Sequence, residues 1–70
     1  MKLKPSEVEP GNRIRLPGSE TVYEVMAEPR AYSHGQAGDV IIKVRWSGDL
    51  GERQEELAFQ GRVHVHRVWR

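Results

Sequence analysis

The chain has 70 residues, no cysteine, and 11 basic against 10 acidic side chains, for a formal net charge of +1. That length holds one small domain, the missing cysteines exclude disulfide staples and thiolate metal sites, and the near-neutral balance lacks the compositional signature of a nucleic-acid-binding domain. No apolar run follows Met1-Lys2, and the longest aliphatic run is Val40-Ile41-Ile42, so neither a signal peptide nor a membrane span is expected.

Lys4 to Glu9 reads as a single helical turn, because Pro5 suits a first turn and acids suit a helix N-terminus. Pro10-Gly11 fits the central pair of a type II turn, with proline fixing φ and glycine accepting φ > 0. Arg13-Ile14-Arg15-Leu16 then alternates strictly, which predicts a strand with Ile14 and Leu16 on one face. Pro17 to Glu20 breaks it, and Thr21 to Ala27 predicts a second strand with Tyr23, Val25 and Ala27 inward. Glu28 to Gly38, with one proline and two glycines, reads as the longest loop. Asp39 to Trp46 is the clearest strand, placing Val40, Ile42, Val44 and Trp46 on one face. A turn over Gly48 to Gly51 follows. In Gln54 to Gln60, Glu55, Leu57 and Phe59 alternate as in a strand, although the composition also has helical propensity. The strand is favoured because a helix there would have barely two turns among neighbours that are all strands. Gly61 turns into a last strand, Val63 to Trp69, with Val63, Val65, Arg67 and Trp69 on one face and His64, His66 and Val68 on the other.

Five short antiparallel strands in one domain over 1–70 predict an all-β fold, a small five-stranded SH3-like barrel with a short N-terminal turn, since curling the sheet suppresses exposed edges. The expected core is Ile14, Leu16, Tyr23, Val25, Val40, Ile42, Val44, Leu57, Phe59, Val63 and Val65. The segments "VEPGNRIRLPG", "TVYEVMAEP", "DVIIKVRWSG" and "VHVHRVW" resemble small SH3-like barrel proteins of actinobacteria and their bacteriophages, which open with a V-x-P-G-D-R-I-like element. Here Asn12 stands where that opening more often has aspartate. The resemblance spans most of the chain and implies a barrel and an actinobacterial or phage source. Its motifs are turn and strand chemistry, and most members have no assigned function, so it carries over no site residues. The expected compartment is the cytoplasm, that of the host for a phage protein.

Catalysis needs a nucleophile or an acid-base pair held in a pocket. The hydroxyls of Ser6, Ser19, Thr21 and Ser33 fall in turns or at strand ends, and a barrel this small has no interior for a substrate. A non-enzymatic chain without a cofactor is therefore expected. His64 and His66, two apart on a strand, are weak metal candidates without a recognisable ligand set to complete them. The leading expectation is an interaction module for a host or neighbouring protein, with Arg30, Tyr32 and His34 in the long loop as the contact residues. The alternative is nucleic-acid binding through Arg13, Arg15, Lys43, Arg45, Arg62, Arg67 and Arg70, with Tyr32, Trp46 and Trp69 as stacking surfaces. The bland reading of those cations is a solvated, edge-blunting face paired with glutamates. No membrane contact is expected, and the chain is expected to be a monomer or a weak homo-oligomer.

Overall fold

The computed structural model describes residues 2–68. The chain is all-β, and its strands form one curled antiparallel sheet, a half-barrel. In chain order the strands are β1 (Lys2–Leu3), β2 (Arg13–Arg15), β3 (Val22–Val25), β4 (Arg30–Ala31), β5 (Val40–Gly48), β6 (Gly51–Phe59) and β7 (Val65–Val68). The sheet runs β1-β7-β2-β3-β5. β6 lies along the whole of one edge of β5, and β3 followed by β4 occupies the other. Five of these strands are the ones read from alternation. β1 and β4 have two residues each, too few for any alternation to show.

The turns form where their chemistry directs. Asn12 N–H donates to the Glu9 carbonyl at 3.0 Å and Gly11 takes φ 92°, which is the type II geometry that Pro10-Gly11 predicts. Pro5–Glu7 is one turn of 3-10 helix, closed by Glu7 N–H to the Lys4 carbonyl at 2.9 Å and by Lys4 N–H to Glu7 Oε1 at 2.8 Å. The ambiguous segment is strand, and it begins at Gly51 rather than Gln54. Asp49 and Leu50 alone connect it to β5, and the positive φ of this hairpin falls on Gly51, at 108°.

Val8, Ile14, Val25, Val40, Ile42, Val44 and Val65 are the buried apolar residues, with Leu3, Leu16, Tyr23, Leu57 and Phe59 packed against them. Ten of the eleven predicted core positions are among these. Val63 is the correction: it precedes β7 and is 36% exposed, because the β6–β7 turn extends through Arg62 and delays the strand to Val65. Ala27 is likewise exposed beyond the end of β3. Leu3, Pro5 and Val8 join the interior instead. The 3-10 turn packs against β5, so the N-terminal segment helps to fill a half-barrel that the strands alone leave open.

Candidate functional site

The long loop is an ordered hairpin end. Arg30 and Ala31 pair with Ile41 and Val40, and Tyr32 N–H continues the ladder to the Asp39 carbonyl at 3.0 Å. Gly35 N–H donates to the Tyr32 carbonyl at 3.1 Å, and Asp39 N–H to the Gln36 carbonyl at 3.0 Å. The Asp39 carboxylate finishes the fold of the loop: Oδ2 accepts from Gln36 N–H at 2.9 Å and Oδ1 from Gly61 N–H at 3.1 Å. A loop tip that alternation leaves structureless is thus tied to the β6–β7 turn.

An open groove runs between this tip, the N-terminal turn and the β6–β7 turn. Lys4, Ser6, His34, Asp39, Gln60 and Arg62 line it. Two basic residues, Lys4 and Arg62, line it against one acid among the described residues, Asp39, whose oxygens both accept backbone hydrogen bonds. The described lining therefore carries one more basic than acidic side chain, a small local excess of positive charge.

One of the three predicted loop residues lines this groove, and a second touches it only through that residue. His34 lines the groove, and Tyr32 meets it edge-to-face with ring centroids 5.9 Å apart. Arg30 points elsewhere, to an ion pair with Glu56 of β6. Lys4 and Arg62 complete the groove without being singled out for it, since they come from segments far apart in sequence. Of the groove members not singled out, Asp39 has a local signal within that same loop, as a carboxylate closing a glycine-bearing turn.

The basic residues of the alternative site do not form one stripe. Arg13, Arg15, Lys43 and Arg45 share the outer face of the sheet, opposite the buried Ile14, Ile42 and Val44. They are interleaved with acids: Glu24 stands between Arg13 and Arg45 in register, and Glu56 is opposite Lys43. Arg45 Nε donates to Glu24 Oε1 at 2.9 Å. That bond, then the charges of Glu24 and Glu52, hold the Arg45 guanidinium above its ordinary range. Arg67 is in register with Ile14 and so projects to the other face, and Arg62 lines the groove. Arg70 and Trp69 lie outside the described residues. Trp46 is half-buried, edge-on to Tyr23 at 5.9 Å, and donates through Nε1 to Glu55 Oε2 at 2.5 Å.

One uninterrupted row of basic side chains does exist. Lys2, His66 and Arg15 are successive cross-strand partners on β1, β7 and β2. This also bears on the two histidines. β7 begins at Val65, so His64 is exposed before the strand and only His66 has a place in the sheet. Its cross-strand neighbours are cations, which repel a metal ion. Among the described residues, no group of three or more His, Cys, Asp or Glu side chains is placed to hold a metal. Among them, too, no helix is long and apolar enough to cross a membrane. Comparison of the chain with protein-family models, curated proteins and solved structures returns no significant match.

Proposed function

We propose that this chain is a non-enzymatic interaction module, an SH3-like half-barrel that binds an acidic segment of a protein partner in the groove beside the 32–39 loop. The observation that carries this reading is the charge of that groove: among the described residues Lys4 and Arg62 line it against one carboxylate, Asp39, which is held by Gln36 and Gly61. Peptide recognition on a small scaffold needs a rigid surface with convergent polar groups, and the Asp39 tether supports that rigidity. Ser6 and His34 both line the groove, but among the described residues no hydrogen bond joins Ser6 to His34 or His34 to Asp39, as a hydrolytic relay would need.

The test is an amide-shift titration with a short Glu/Asp-rich peptide. Shifts at His34, Gly61 and Arg62 are expected, weakened about tenfold or more in Lys4→Ala/Arg62→Ala, in line with losing charge-assisted contacts. A spectrum unchanged at millimolar peptide would remove the proposal.

The Lys2–His66–Arg15 row favours nucleic acid as a second reading. It predicts a duplex gel shift at about 50 mM salt that fades steeply as salt rises. That shift would be lost in Lys2→Ala/Arg15→Ala variants, which remove the two cations flanking His66. A protein that shifts no duplex at low salt does not use this face for phosphate.

A further inference from the structure

We infer that the outer edge of β6 pairs with the same edge of a second copy of the chain, antiparallel and centred on Gln54. β6 spans nine residues, Gly51–Phe59, and every one of them pairs with β5 on one side. On its other side it has no strand partner among the described residues. An open edge of that length is a template for another strand, and its side chains select which one.

A two-fold axis perpendicular to a sheet pairs residues on the same face, so it must pass midway between one residue of the strand and that residue's own copy. In the run Glu52-Arg53-Gln54-Glu55-Glu56 only Gln54 is uncharged, and every other centre sets a like charge against itself. With Gln54 facing its own copy, Arg53 faces the partner's Glu55 and Glu55 faces the partner's Arg53. Both stand on the concave face, in register with Trp46 and Val44 of β5. The same register sets Glu52 against the partner's Glu56 on the outer face. That repulsion is moderated within each copy, because Glu56 is bridged by Arg30 and stands opposite Lys43, and Glu52 acts on Arg45.

The ends of the strand agree with this register. Leu50, at the hairpin tip, is 85% exposed, the largest exposure among the exposed large apolar residues that the structure describes. Centring on Gln54 carries it to the partner's Ala58, which is in register with the half-buried Ile41. Half-buried Leu57 meets the partner's Gly51, which has no side chain to obstruct it. The acidic balance of the strand leaves one rival occupant, a basic strand from another protein, and that rival predicts a chain that stays monomeric alone. The groove beside the 32–39 loop plays no part in this contact, so the two proposals stand or fall separately.

Sedimentation of the whole chain tests it. The pairing buries less than a standard interface, so a dimer is expected to build up between about 1 µM and 1 mM. Arg53→Glu and Glu55→Arg each turn two attractive cross-strand pairs repulsive and should each weaken the dimer about tenfold. Mixing the two variants should restore it, because the edge with two glutamates then meets the edge with two arginines. Gln54→Glu, at a side chain that makes no hydrogen bond among the described residues, should also weaken it by setting two like charges against each other across the axis. Circular dichroism confirms that each variant is folded, and Gln54→Glu decides the matter should Glu55→Arg fail to fold. A wild type monomeric at 1 mM overturns the inference. So does a dimer indifferent to Arg53→Glu and Gln54→Glu, or a mixture of folded variants that stays monomeric.

Discussion

Gly61 packs so closely on Gly38 that a Cβ added to it would stand 2.5 Å from the Gly38 carbonyl oxygen. The obstructing atom is backbone, so it cannot swing away as a side-chain tip would. Gly61→Ala should therefore force the β6–β7 turn away from the 32–39 loop. Overpacking of this kind costs about 1–3 kcal/mol, and in a domain this small each kcal/mol lowers Tm by about 4–8 °C. A thermal melt reads the loss, and an alanine variant as stable as wild type would show that the two segments are not in contact.

Asp39 holds the same junction by hydrogen bonding, through Gln36 N–H and Gly61 N–H. Asp39→Ala leaves both donors without the carboxylate, and losses at side-chain-to-backbone caps run at about 0.5–2 kcal/mol. The local effect should exceed the global one. Amide exchange at Gln36 and Gly61 is expected to accelerate more than exchange in β5, because only the loop and its turn lose a tie. Uniform acceleration across β5 would mean that Asp39 supports the whole fold.

Core positions in regular strands were legible in the sequence because alternation reports the pleat directly. β5 is the clear case: Val40, Ile42 and Val44 are buried, and Lys43 between them is exposed. Alternation fails where a strand begins. Val63 and Val65 have the same parity and the same side chain, but Val65 is fully buried and Val63 is 36% exposed. The turn that ends at Arg62, rather than the pattern, decides between them. The same delay separates His64 from His66, so a two-histidine face seen in the sequence dissolves in the fold. The groove was less legible still, since Lys4, His34 and Arg62 meet only through tertiary structure. Only the loop that carries His34 announced itself, by its length. Ile42→Ala should cost about 2–5 kcal/mol as a cavity in the sheet centre, and Val63→Ala should stay within about 0.5 kcal/mol. Denaturant midpoints compare the two, and equal losses would return Val63 to the core.

Arg45 should add no pH dependence to stability under ordinary conditions. Its hydrogen bond to Glu24, with the charges of Glu24 and Glu52, raises its already high proton affinity. A cation whose folded pKa is raised contributes fully below its unfolded pKa, and loses that contribution only as pH climbs through the folded value. For a guanidinium that window lies in strong alkali. Arg45→Gln should therefore lower Tm by the same amount at pH 7 and pH 9, whereas a difference between the two would point to a titrating partner outside this ion pair.

Val8 has no strand alternation to mark it. It follows the 3-10 turn and is only 1% exposed. Its burial explains how a half-barrel with so few strands retains an interior. Pro5 and Val8 are fully buried, and Leu3, paired with Val65 at the β1 edge, packs against the same core. The N-terminal segment is therefore part of the fold, not a lid over it. Removing two methyl groups at Val8 deletes about 0.8 kcal/mol of burial for each, and the cavity left behind adds to that. Val8→Ala should cost about 2 kcal/mol, a sizeable share of the stability open to a chain of this length. Val8→Asp would bury a charge with no partner and should unfold the domain. A chain shortened from the N-terminus through Val8 that melts at the wild-type temperature would show that β2, β3, β5, β6 and β7 stand without it.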